Sequence, residues 1–201
     1  MRNRYGSSFP IWALIAINIF VFIITTIRPD IGNYLALSIP ISGFSYWTIA
    51  TAMFVHANFL HILFNMLTLY FLGTFCLELI DAKWFFVVYL IGGLFGNILY
   101  LLMGPANSAV VGASGAIFAI SGVLVMMRPN QRVYLYFLIP MPLWVGIVGS
   151  LVVLSFLPYV AWQGHLGGFI VGLIAGFFFR RRERQPSRFT ATLSDLRRLE
   201  G

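Results

Sequence analysis

The stretch FLHILFNMLTLYFLGTFCL, residues 59–77, decides the fold class. It carries no charged side chain and is long enough, as a helix, to cross a bilayer core, which takes roughly 20 apolar residues. It also holds His61 and Asn65, spaced i, i+4 and therefore on one helical face. Stretches of the same kind recur on both sides. The expected spans are Phe9 to Ile27, Phe59 to Leu77, Trp84 to Met103, Gly112 to Met127, Met141 to Leu157 and Val160 to Phe179. With 60% hydrophobic, 17% aromatic and only 9% charged residues, the chain lies outside the composition of soluble domains. The expected fold is an all-α membrane protein, a compact bundle of six transmembrane helices with both termini cytoplasmic.

Charge placement sets that orientation. Six spans put Arg2, Arg4, Lys83, Arg128, Arg132 and the arginines that follow Phe179 on one face and leave only Arg28 on the other. Basic residues collect on the cytoplasmic side. The formal charge of +7 is thereby read as membrane topology, and no nucleic-acid partner is expected. The chain divides into a short N-terminal arm (1–8), a helical core (9–179) and a basic cytoplasmic tail (180–201) that faces anionic headgroups. Phe9 to Ile27 is long for a signal peptide and is read as a retained helix. The longest connection, Arg28 to Asn58, carries Pro29, Gly32, Pro40, Gly43, Phe44, Tyr46 and Trp47, and is expected to be a structured segment at the interface. Val133 to Pro140 is expected to lie extended before Pro140 and Pro142 start the fifth span. The single cysteine, Cys76, reads as a small buried hydrophobe.

Six spans also set depth. The second, fourth and sixth run in the same direction, so His61 and Asn65, Ser114, and His165 come to one level near their starts. Polar groups are costly in a bilayer, and a functional role is their default reading. Ser114 sits among small residues in Gly112-Ala113-Ser114-Gly115-Ala116, a pattern that alone suits helix packing. Gly164-His165-Leu166-Gly167-Gly168, continued by Gly172 and Gly176, allows the histidine-bearing helix to approach the serine closely. A serine hydroxyl needs a base, and a neutral imidazole with an unperturbed pKa of about 6.5 suits that work. The six acids, Asp30, Glu78, Asp81, Glu183, Asp195 and Glu200, fall in loops, at the inner side or in the tail, which leaves a Ser114–His165 dyad without a carboxylate. Acyl transfer also needs oxyanion donors, for which His61, Asn65 and the Ser114 backbone N–H are placed. His56 is expected in the surface loop, in a structural hydrogen-bonding role. No cofactor or metal is called for.

The run from His56 through His61 to Asn65, the Gly112-Ala113-Ser114-Gly115 element, and Gly164-His165 with Gly168 and Gly172 together resemble the rhomboid family of intramembrane serine proteases, in family order. The resemblance implies catalytic Ser114 and His165, with His61 and Asn65 stabilising the oxyanion. It implies a serine endopeptidase whose partners are transmembrane protein substrates and the lipid bilayer. It also implies substrate access between the second and fifth spans, with the fifth span and the loop around Pro158 as a movable gate, and a structural hydrogen-bonding role for Glu78. The chain departs from the family in Trp47-Thr48, where members often have Trp-Arg, and in Phe118, where many have Tyr. Phe118 can still stack on His165. The alternative reading is a catalytically inactive relative that binds transmembrane clients; a small transporter ranks behind both. The expected location is an integral, multi-pass protein of a prokaryotic plasma membrane.

Overall fold

The computed structural model describes residues 8–39, 45–135, 139–157 and 160–184. The N-terminal arm up to residue 7, Pro40, Gly43, Phe44, Pro158 and the tail beyond Arg184 lie outside the described residues, as do the side chains of Glu183 and Arg184.

The elements in chain order are helix α1 (Phe9–Ile27), short helix α2 (Pro29–Leu35), strand β1 (Leu37–Ser38), short helix α3 (Thr48–Thr51) running into a 3-10 turn (Ala52–Phe54), α4 (Phe59–Leu77), α5 (Ala82–Met103), strand β2 (Ala109–Val110), α6 (Ser114–Met127), strands β3 (Arg132–Leu135) and β4 (Ile139–Pro142), α7 (Leu143–Ser155) and α8 (Trp162–Arg184). Among the described residues the regular structure is helical apart from two antiparallel ribbons, β1 with β2 and β3 with β4, which an all-α expectation omits. Among the described residues four helices, α1, α4, α5 and α8, are long and apolar enough to cross a membrane. The other two apolar helices, Ser114–Met127 and Leu143–Ser155, are shorter than the six-span expectation required.

The inside of the bundle explains why α6 tolerates being short. From Ala116 to Leu124 every residue of α6 is buried. A helix covered by protein on all sides need not match the hydrocarbon thickness. It packs chiefly on α8 and α5. The approach is backbone to backbone: a Cβ added to Gly168 would meet the Gly115 carbonyl oxygen at 1.8 Å, one on Gly172 that of Ala119 at 2.0 Å, and one on Gly122 that of Phe169 at 2.5 Å. The bundle's outer surface is apolar, with Phe20, Phe71, Leu102 and Phe156 among its exposed side chains. Such a surface is stable against lipid and not against water.

Helix ends follow local chemistry. Asn58 caps α4 by accepting the His61 backbone N–H at 2.9 Å. Gly112 has φ +122°, outside helical space, so α6 begins at Ser114 and not at Gly112. Met141 is taken up by β4, which moves the start of α7 to Leu143 after Pro142. The described parts of the Val133 to Pro140 segment are extended, as expected, and lie in the antiparallel pair β3 and β4, while residues 136–138 lie outside the described residues. Asp81 precedes α5, which starts two residues before the expected Trp84, and α8 continues past Phe179 through Arg180, Arg181 and Arg182. Arginine is a good helix former, and positive charge favours a helix C-terminus.

The described parts of the long first connection, residues 28–39 and 45–58, are structured, as expected, and act as a brace. Trp47 Nε1 donates to the Tyr34 carbonyl at 3.2 Å, Thr51 Oγ1 to the Leu35 carbonyl at 2.8 Å, and Asn97 Nδ2 on α5 to the Ile49 carbonyl at 2.8 Å. Arg28 forks onto Asp30, Nε to Oδ1 at 3.0 Å and a terminal nitrogen to Oδ2 at 2.8 Å, which holds the Asp30 carboxyl below its ordinary range. The Arg28 charge is thus paired with that of Asp30. Leu37 pairs with Val110 and Ser38 with Ala109, tying the brace to the segment that leads into Ser114.

Candidate active site

Three helix starts meet at one cavity. Its lining includes His61, Phe64, Asn65 and Thr68 of α4, Ser114, Phe118 and Ser121 of α6, Ile147, Ser150 and Leu154 of α7, His165 of α8, and the 109–112 segment, around about 710 Å³. The four residues singled out from the sequence, Ser114, His165, His61 and Asn65, all line it.

Ser114 is the first residue of α6, and its Oγ lies 2.8 Å from His165 Nε2. With Nε2 accepting from the hydroxyl, Nδ1 carries the ring proton. His165 Nδ1 is buried and has no hydrogen-bond partner among the described residues, so no carboxylate orients the ring. Packing does so instead. Phe118, one turn after Ser114, stacks on the imidazole with centroids 4.7 Å apart and planes at 28°. The missing tyrosine hydroxyl leaves that stack in place.

His61 is held against the other side of the serine turn. Its Nδ1 accepts a long 3.4 Å contact from the Ala57 N–H, which leaves Nε2 as the protonated nitrogen. Nε2 lies so close to Gly112 that a Cβ there would be 2.7 Å away. Gly112 therefore answers two demands, a positive φ and room for an imidazole. Its N–H donates to the Ala52 carbonyl at 2.9 Å, anchoring the turn to the 3-10 segment of the brace. Asn65 Nδ2 gives one hydrogen to the His61 carbonyl at 2.8 Å and keeps a second N–H. The N–H groups of the first turn of α6 have no intrahelical acceptors. Donors from two helices thus line the cavity that holds the Ser114 hydroxyl.

Two expectations need correction. His56 does lie in the loop before α4, but it is buried, not at the surface, and lies edge-on to His61 at 5.1 Å. Glu78 ends α4 with an exposed side chain that makes no hydrogen bond among the described residues, so it has no structural hydrogen-bonding role there. Cys76 is buried as expected. The sequence reading missed Thr68, Ser121 and Ser150, which give the cavity polar groups below the dyad. Helical spacing was the available signal: Thr68 lies one turn from Asn65, and Ser121 two turns from Ser114.

Comparison with known proteins identifies the chain's relatives. The chain is 30% identical over 146 residues to RHOMBOID-like protein 1 of Arabidopsis thaliana, covering 72% of this chain and 37% of that protein. It is 29% identical over 150 residues to Rhomboid-like protease 3 of Toxoplasma gondii, 70% of this chain and 54% of that protein. It is 32% identical over 133 residues to Rhomboid protease GluP of Bacillus subtilis, 66% of this chain and 25% of that protein. The chain spans less than half the length of the first relatives it matches. Relatives in a plant, a yeast, a protozoan and a bacterium lend no support to a prokaryotic plasma membrane in particular. The profile of the Rhomboid domain matches residues 43–182, and this integral membrane protein belongs to the rhomboid family.

Proposed function

We propose that the chain is an intramembrane serine endopeptidase that hydrolyses peptide bonds in or near transmembrane segments of other membrane proteins. The observation that carries this reading is the 2.8 Å contact between Ser114 Oγ and His165 Nε2 inside a cavity of an apolar bundle. Ser114 Oγ attacks the scissile carbonyl carbon as its proton passes to His165 Nε2. The oxyanion receives hydrogen bonds from His61 Nε2–H, the second Asn65 N–H and the Ser114 backbone N–H. Collapse breaks the C–N bond, and the leaving amine takes the proton from His165. Water, deprotonated by the same ring, then releases the acyl group and regenerates Ser114. No cofactor enters.

In this reading all six apolar helices cross the bilayer, both termini face the cytoplasm, and residues 1–8 and 180–201 flank the catalytic core 9–179. The dyad then lies near the outer surface, where water can reach it. Substrate helices enter between α4 and α7. Only Leu143 and Ile147 of α7 are buried, which suits a gate. The partners are transmembrane substrates and lipid, without nucleic acid. Two relatives are named as proteases, which favours activity over the inactive alternative. The test is covalent: a fluorophosphonate probe should label the wild type at Ser114, mapped by mass spectrometry, and should not label His165→Ala. A wild type that resists the probe, or His165→Ala that labels equally, overturns the reading.

A further inference from the structure

A second concavity lies away from the dyad, on the lipid-facing seam between α5 and α8. Near the start of α8 the two helices touch through glycines: a Cβ on Gly96 would meet the Gly164 carbonyl oxygen at 2.6 Å, and one on Gly167 the Gly96 Cα at 2.9 Å. Toward the other end the facing residues become large. Val87 and Ile91 on α5 and Ile174 and Phe178 on α8 line a groove of about 370 Å³, with Trp84, Phe179 and Arg182 at one end of it. Its mouth is cationic. Lys83 Nζ and the Arg182 guanidinium each lie 5.9 Å from the Trp84 ring centroid, and Arg181 lies 4.9 Å from that of Phe177. Among the described residues neither Lys83 nor Arg182 is in an ion pair, and both are exposed.

We propose that this groove seats an anionic phospholipid, with an acyl chain between α5 and α8 and the phosphate between Lys83 and Arg182. Two observations favour a lipid over a protein helix as the occupant. Transmembrane helices associate through small residues that let backbones approach, whereas this groove is rimmed by Ile91, Ile174 and Phe178. Its mouth also gathers positive charge around an indole, an amphipathic ring that favours the headgroup level. A flexible chain ending in a phosphate meets both demands, and a basic pocket between transmembrane helices is a known kind of headgroup site. The inference concerns a surface remote from Ser114 and stands whether or not the chain is a protease.

The test uses the full chain with Trp84 as its only tryptophan (W12F/W47F/W144F/W162F), reconstituted in vesicles that contain brominated phosphatidylglycerol or brominated phosphatidylcholine of the same acyl composition. Each basic residue near the surface adds about fivefold to attraction for anionic lipid, so Trp84 should be half-quenched at a several-fold lower fraction of phosphatidylglycerol. K83Q/R182Q should quench equally with both lipids. Native mass spectrometry of the otherwise wild-type chain should show retained phosphatidylglycerol that is lost from K83Q/R182Q and from the groove-filling Ala175→Phe. Equal quenching of the Trp84-only protein by the two lipids, a preference that survives K83Q/R182Q, or retention by Ala175→Phe would each overturn the proposal. So would relief of quenching by soluble glycerol phosphate, which would place the anion without its chain.

Discussion

Replacing Gly168 by alanine is the sharpest perturbation of the dyad that touches neither of its members. The new Cβ would lie 1.8 Å from the Gly115 carbonyl oxygen, a backbone atom that cannot swing aside. The nearest comfortable C···O approach is about 3.3 Å. α8 must therefore separate from α6 by roughly 1.5 Å at that point. Gly168 lies one turn below His165, and Gly115 directly follows Ser114, so the displacement falls on the catalytic pair. The 2.8 Å hydrogen bond between His165 Nε2 and Ser114 Oγ then passes beyond 3.5 Å, where it no longer counts as one. A misplacement of about 1 Å costs on the order of a hundredfold in rate, and overpacking of this kind costs about 1–3 kcal/mol of stability. The assay is cleavage of a transmembrane reporter in liposomes, with thermal unfolding measured on the same preparations. Gly149→Ala is the matched control, because a Cβ at Gly149 meets nothing within 4 Å. Gly168→Ala should remain folded with a lowered Tm and lose about two orders of magnitude in kcat/KM, while Gly149→Ala matches the wild type. A Gly168→Ala protein that cleaves as fast as Gly149→Ala refutes the reasoning.

Other predictions follow from the same geometry. Gly112→Ala must adopt φ +122° and crowd His61 Nε2 at 2.7 Å; it should lower stability by about 1–3 kcal/mol, read by thermal unfolding, and lower cleavage as well. His61→Ala and Asn65→Ala should each reduce kcat by about 10²–10³ with little change in KM, as loss of an oxyanion donor does; a change confined to KM would assign them to substrate binding. Asn58→Ala removes the cap of α4 and should cost about 1 kcal/mol of stability, which Asn58→Asp restores, as thermal unfolding would register.

The sequence was most informative where one physical rule acted alone. α1 and α4 begin and end where hydropathy placed them, because Pro10 in the first turn of α1 and the flanking polar residues Arg28, Asn58 and Glu78 mark their limits. The convergence of Ser114, His165, His61 and Asn65 was also legible, since uncommon polar groups at helix starts leave few alternatives in a bilayer. What escaped was tertiary. Gly112 reads as one more small residue of a packing stretch, and only its positive φ and the imidazole against it reveal why nothing larger fits. The ribbon between β1 and β2 joins segments some seventy residues apart, and short pairings of this kind leave no periodicity. The brevity of α6 follows from burial on every side, which hydropathy cannot distinguish from lipid exposure. His56 was misplaced for a related reason: a loop histidine reads as exposed until a neighbouring ring covers it.

The central claim is that Ser114 and His165 form a catalytic dyad, and the direct measurement is cleavage of a transmembrane substrate in liposomes by the wild type, Ser114→Ala and His165→Ala. The account predicts cleavage by the wild type and none by either variant. Cleavage of equal rate by all three proteins would contradict it.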